Sequence, residues 1–250
     1  MNIGIIVQAR MGSTRLPGKI LKTFYKDKAL IEILLENLYK VDGVKVIVAT
    51  STNEDNDRLE SFLRGKRVLV SRGSENDVLN RFIKAAEENK VDGIIRICSD
   101  NPFMDWHGLV QLAKEAKTST ADYIGFRING KPSILTHFGF WGEFVRLNAL
   151  KRVFETTPVG TPAHEHVTIH VYTHSEEYKC QWIECPAYLQ GRDDIRLTID
   201  TPEDFENAQK VYSEITSINK DFTLKDIVAY LDAHEDIKQS MLKNISQNKK

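Results

Sequence analysis

No run of apolar residues in this chain approaches the roughly 20 needed to cross a bilayer as a helix. Met1-Asn2 leads straight into Ile3-Gly4-Ile5-Ile6-Val7, without a basic leader or a cleavage site. A cytoplasmic protein with no membrane partner is expected. Cysteine is scarce: Cys98, Cys180 and Cys185 are odd in number and lack C-x-x-C spacing, which argues against a disulfide framework and leaves them as buried or incidental thiols. Neither sign of charge dominates, with 34 Lys and Arg against 35 Asp and Glu. No global field therefore draws nucleic acid or an anionic membrane, and any basic site is local. Internal repeats and low-complexity tracts are also missing.

What is present is enough for one large α/β unit: 250 residues, 41% of them hydrophobic, can bury a sizeable core. The stretch that organises the chain is Gln8 to Lys19, QARMGSTRLPGK. It follows an apolar run short enough for a strand buried on both faces, and it precedes helical spacing from Ala29 to Tyr39. A glycine- and cation-rich loop at the carboxyl end of a first strand is where open α/β sheets hold phosphates. Gly12, Ser13 and Thr14 can turn backbone N–H groups inward, Arg10, Arg15 and Lys19 can neutralise a triphosphate, and Pro17-Gly18 fixes the exit. Two common phosphate loops are excluded. A Walker loop needs four residues between its glycines and Ser or Thr after the lysine, whereas five separate Gly12 from Gly18 and Ile20 follows Lys19. The dinucleotide fingerprint needs a third glycine.

Further along, strands are expected at 44–50, 67–71, 93–98 and 122–127, alternating with helices at 53–63 and 105–117 and with one that Ser74 caps, Asp77 being its third residue. After Gly130 the regularity fades. Residues 134–140 alternate weakly, 147–154 are helical in spacing, and 168–173 and 179–184 read as strands. Residues 195–199 form one more β-rich run before Asp200-Thr201-Pro202-Glu203, where Pro202 starts a helix. Helices follow at 224–233 and 235–245, and 246–250 are expected to fray. The reading is a single domain over 1–250, with an insertion at 128–190 and C-terminal helices within 220–250.

Asp100 and Asp200 both stand at the ends of apolar strands with a proline two residues on. Taken singly, Asp100 reads equally well as a turn former and Asp200 as a helix cap. Hard Mg²⁺ prefers one or two carboxylates together with water and phosphate oxygens, so the pair beside a phosphate loop suits that ion.

The loop resembles the A-R-x-x-S/G-x-R-L-P-G-K opening of the cytidylyltransferases that make CMP-activated acidic sugars, most closely the spore-coat polysaccharide biosynthesis branch. Ser99-Asp100-Asn101-Pro102 is similar to a G-D-x-P-type turn of that family, and Ile199-Asp200-Thr201-Pro202-Glu203-Asp204 to its second acidic segment. Arg72-Gly73-Ser74-Glu75 and His164-Glu165-His166-Val167-Thr168 are similar to two further stretches. The resemblance covers about residues 2–210. It implies a Rossmann-like, mixed but mostly parallel sheet of the nucleotide-diphospho-sugar transferase type with a β-rich insertion, a homodimer, and transfer of CMP from CTP to a sugar hydroxyl in polysaccharide or glycoconjugate precursor synthesis. It also implies nucleotide contacts from Gln8, Ala9, Arg10, Met11, Gly12, Ser13, Arg15, Lys19, Arg72 and Ser74, with Arg10, Arg15, Lys19 and Asp100 catalytic and Mg²⁺ on Asp100 and Asp200. Ser99 stands where relatives have glycine, a substitution that strains a backbone with φ > 0. Glu165, His166 and Arg127 are candidates for the sugar side, Lys131 being an alternative to Arg127. Another base or acceptor, or a nucleotide-binding module without turnover, remains open at this point.

His164, His166, His170 and His174 invite a zinc reading. On a strand, His166 and His174 would stand about 26 Å apart, too far to converge on one tetrahedral ion. Phe138, Phe140, Trp141 and Phe144 read as core or dimer contact rather than base-stacking residues.

Overall fold

In the computed structural model, which describes residues 1–248, the run Ile3–Gln8 is the central strand β1, apolar on both faces as its composition requires. The loop leads through a 3₁₀ turn into a small hairpin, β2 (Thr23–Tyr25) and β3 (Lys28–Ala29), and then α1 (Leu30–Leu38). β4 (Lys45–Ser51), α2 (Asp57–Leu63), β5 (Leu69–Gly73), α3 (Val78–Glu88), β6 (Gly93–Cys98), α4 (Trp106–Thr118) and β7 (Tyr123–Ile128) continue the alternation. The remainder comprises β8 (Lys131–Pro132), β9 (Glu143–Arg146), α5 (Leu147–Thr156), α6 (Pro162–His166), α7 (Ile169–Thr173), β10 (Cys180–Glu184), α8 (Pro202–Ile218), α9 (Leu224–Ala233) and α10 (Glu235–Gln247).

The main sheet runs β10-β7-β9-β6-β1-β4-β5, with β8 pairing β7. β1 pairs in parallel with β4 and β6, β4 with β5, and β7 with β10, while β9 lies antiparallel between β6 and β7. The sheet is therefore mixed and mostly parallel. Alternation along β1 divides the core: Ile5 and Val7 pack on the face carrying α1, α4, α8 and α9, and Ile6 on the face carrying α3 and α5. Phe138, Phe140, Trp141 and Phe144 are buried core residues.

Four local expectations are corrected. Asp77 rather than Ser74 caps α3: Asp77 Oδ1 accepts from Asn80 N at 2.9 Å, and Ser74 Oγ accepts from Asp77 N at 3.0 Å. Within the run expected as a strand, Ile169–Thr173 is helical, with Val171 buried beside α5. The 128–190 segment thus carries α5, α6 and α7 as well as β8, β9 and β10. Residues 195–199 form no regular strand; Leu197 and Thr198 donate their N–H groups to His137 O and Ile199 donates to Asp100 O. Of the end expected to fray, Ser246 and Gln247 belong to α10, and Lys249 and Lys250 lie outside the described residues.

Candidate functional site

The loop leaves β1 at the carboxyl edge of the sheet and closes on itself: Ser13 N and Gly18 N both donate to Met11 O, at 2.9 and 3.2 Å. Met11 N donates to Asn56 Oδ1 at 2.9 Å, which ties the loop to the turn after β4. Gly18 has φ 67°, a left-handed conformation that glycine adopts without strain, and it turns Lys19 into the protein.

Lys19 is only 8% exposed, a rare state for an ammonium that demands partners. Its Nζ lies 2.9 Å from Asp100 Oδ2 and 3.7 Å from Asp200 Oδ1, and it also donates to Ile199 O. Arg15 reaches the same carboxylate, with Nη2 at 3.2 Å from Asp200 Oδ1. The glycine turn and both acids therefore meet at one place. Ser99 is not among the residues with positive φ, so it adopts the turn without the strain considered above, and its N–H donates to Gln8 O at 3.1 Å.

Arg196 is the residue that sequence reasoning missed. Its buried guanidinium donates to both oxygens of Asp204 at 2.7 Å, to Asp200 Oδ2 at 3.0 Å and to His137 Nδ1 at 2.6 Å. Burial opposes its charge, but Asp204 and Asp200 outweigh that and raise its pKa. Burial likewise works against the Asp204 carboxylate, yet Arg196 and the N–H groups of Asp200 and Thr201 hold it below the usual range. A lone arginine inside the apolar run Ile195 to Ile199, four residues before Asp200, was the available signal.

On the other face of the sheet, Gln8 Oε1 accepts from Arg96 Nη2 at 3.1 Å. Arg96 pairs with buried Glu143 at 2.8 Å, and Glu143 also accepts from Tyr123 OH at 2.6 Å and Thr168 Oγ1 at 3.0 Å. Burial and the neighbouring Glu143 carboxylate push the Tyr123 hydroxyl well above its ordinary pKa, which keeps it a donor. Thr168 thereby joins the α6–α7 segment to the end of β1. Between them Val167, at φ 55° and ψ −59°, is bridged by a 2.6 Å bond from Thr168 N to His166 O, a γ-turn that is strained for a β-branched residue. Glu165 and His166 are exposed there. His164 is buried, with Nδ1 2.9 Å from Asp77 Oδ1. His170 and His174 stack at 3.9 Å, and among the described residues no group of three or more His, Cys, Asp or Glu is arranged to hold a metal.

Other sequence candidates stand apart from the Lys19 cluster. Arg10 is exposed, 3.3 Å from Glu75. Arg72 pairs with Asp57 and Glu60 and donates to Ser51 O and Asn53 O, so it meets the loop only through the segment that carries Asn56. Arg127 Nε donates to Glu184 at 2.8 Å near the β10 edge. A cavity of about 790 Å³ between α1, α4 and α8 is lined by Phe103, Trp106 and Tyr212 but by no residue of the loop and neither acid.

The cytidylyltransferase family model matches residues 4–239. The spore coat polysaccharide biosynthesis protein SpsF of Bacillus subtilis is 33% identical, over 94% of this chain and 96% of its own length. A 3-deoxy-manno-octulosonate cytidylyltransferase of Bartonella tribocorum is 25% identical, over 83% and 97% respectively. Among solved structures, a cytidylyltransferase from Leptospira borgpetersenii superimposes with a TM-score of 0.80 at 28% identity, covering 96% of this chain and 97% of that one.

Proposed function

The chain belongs to the cytidylyltransferase family, and from that premise we propose that it transfers CMP from CTP to a hydroxyl of an acidic sugar, releasing pyrophosphate, in the synthesis of a polysaccharide or glycoconjugate precursor. The observation that carries the reading is the meeting of Lys19, Arg15, Asp100 and Asp200 beside the glycine turn. Support for the acceptor class comes from the relatives, one described by spore coat polysaccharide synthesis and one by a keto-deoxy sugar acid.

In the proposed reaction the sugar hydroxyl oxygen bonds to the α-phosphorus, the bond from that phosphorus to the bridging oxygen breaks, and pyrophosphate leaves with the electron pair. The hydroxyl proton passes to solvent. Arg10 and Arg15, half exposed at the mouth of the loop, clamp the β- and γ-phosphates, and Lys19 stabilises charge developing on the leaving oxygens. One ammonium already spans both acids, at 2.9 and 3.7 Å, so the carboxylates are near enough to share a cation, and their hard oxygens suit Mg²⁺. Asp100 and Asp200 would hold that ion, which when bound supplies Lewis-acid neutralisation of phosphate oxygens. Gln8, Ala9, Met11, Gly12 and Ser13 line the nucleotide side, with Arg72 and Ser74 supporting the neighbouring turns, and Glu165 and His166 face the acceptor. The proposal includes a cytoplasmic homodimer formed through the 128–190 segment, where Leu135, Phe154 and Val159 are exposed apolar side chains. Among the described residues no helix is long and apolar enough to cross a membrane.

The test is pyrophosphate release from CTP and Mg²⁺ with a panel of 2-keto-3-deoxy acids, with ATP, GTP and UTP as competitors. Tight CTP binding with no turnover on any acceptor would make the chain a binding module instead.

A further inference from the structure

The two turns that carry Asp100 and Asp200 also carry one polar side chain each into the protein. Asn101 follows the first acid and Thr198 precedes the second by two residues; each is 5% exposed. Asn101 Oδ1 and Thr198 Oγ1 are buried and meet no hydrogen-bonding partner. Leaving such a group unpaired costs about 1–3 kcal/mol, so two on adjoining turns call for an explanation.

Both residues line a single small cavity, about 10 Å³, room for the centre of one water molecule, walled otherwise by Ser133, Thr136, Gly139 and the aromatic side of Phe138 to Trp141. Gly139 keeps the space open. It has φ 67°, and a Cβ there would fall 2.7 Å from Asn101 Oδ1 and 3.1 Å from Thr198 Cγ2. The wall is thus polar at Asn101, Thr198, Ser133 and Thr136, and apolar or glycine-lined elsewhere.

We propose that Asn101 and Thr198 bind one buried water molecule that tethers the Asp100 turn to the Asp200 turn, making them positioning residues for the two acids. The water donates to Asn101 Oδ1 and accepts from the Thr198 hydroxyl, satisfying both. The backbone bond from Ile199 N to Asp100 O, 3.0 Å, and the Lys19 ammonium link the turns on the side of the acids. A tether through the water, from the neighbouring residues Asn101 and Thr198, restrains the distance between carboxylates that must converge on one hard cation. This role rests on the proposed metal function of Asp100 and Asp200; the water itself does not.

A crystal structure of the full chain at high resolution is expected to show a density peak within hydrogen-bonding distance of both atoms, lost in Thr198→Val and kept in Thr198→Ser. Titration of Mg²⁺ into the CTP complex, followed by calorimetry, is expected to show Thr198→Val weakening metal binding about tenfold, as loss of an outer-shell partner typically does, with Thr198→Ser near wild type. Absence of the peak in the wild-type protein overturns the proposal whether or not the variants fold. A lowered melting temperature with unchanged Mg²⁺ affinity would reduce the water to a packing role and overturn the positioning claim. If the wild type binds CTP and Mg²⁺ yet releases no pyrophosphate with any acceptor, the function fails while the peak and the titration still decide the tether.

Discussion

Lys19 Nζ lies 2.9 Å from Asp100 Oδ2, across 81 positions of sequence, and the same ammonium reaches Asp200. A flexible lysine would ordinarily keep its charge in water. Here Gly18 turns it inward, and two carboxylates and a carbonyl meet it.

Lys19→Met, of similar length, is expected to lower turnover by at least about 10²-fold, because in the proposed reaction it removes a donor aimed where charge develops. It leaves two part-buried carboxylates facing each other, so urea unfolding should also show a loss on the order of 2 kcal/mol. Activity lost with stability unchanged would mean that the acids do not depend on the lysine for compensation.

The two acids are expected to differ. Asp100→Asn should abolish metal-dependent turnover with a small shift in melting temperature. Asp200 sits among Arg15, Lys19 and Arg196, and Asp200→Ala leaves those cations repelling one another, so it should cost both activity and stability. Equal melting temperatures for the two variants would contradict this division.

Acid unfolding should report Asp204. Its folded pKa lies below its ordinary 3.8, so its stabilisation is fully present above that value and is lost as pH falls through the folded one. Denaturant unfolding at pH 5 and pH 3 is expected to show a drop in the native protein that is smaller in Asp204→Asn, although that variant is less stable at pH 5. An identical pH dependence in both would remove Asp204 from the account.

Arg10 and Arg72 give a further contrast. Arg10→Ala should raise KM for CTP about tenfold with no change in melting temperature, since its pairing with Glu75 is part-exposed. Arg72→Ala should lower the melting temperature through the turn it braces, and affect KM less. Steady-state kinetics beside thermal unfolding would separate them; reversed effects would place Arg72 on the nucleotide.

The sequence reading was strongest where one short stretch determines its own conformation. The apolar run of β1, the turn at Gly18, and Pro202 as the start of α8 were legible because each depends on near neighbours, although Thr201 and not Asp200 caps that helix. It failed where a distant partner decides. Thr168 to Thr173 is rich in β-branched residues, yet Ile169–Thr173 is a helix that buries Val171 against the core. β9 is four residues long and was missed because its place depends on β6 and β7 flanking it. Arg196 was passed over as part of an apolar run, since only the fold shows which carboxylates surround it. Asp100 and Asp200 were each ambiguous alone, and the side chain that brings them together belongs to the loop.

The place of β9 between β6 and β7 also bears on the order of assembly during synthesis. β1, β4, β5 and β6 are all made by residue 98 and can pair as they emerge, but β7, which pairs first with β8, is joined to them only once residue 146 of β9 has been made. Asp200 comes later still. A ribosome-bound chain halted after β9 would therefore own the glycine turn and one acid, and the cluster around Lys19 would stay incomplete until Asp200 had left the exit tunnel.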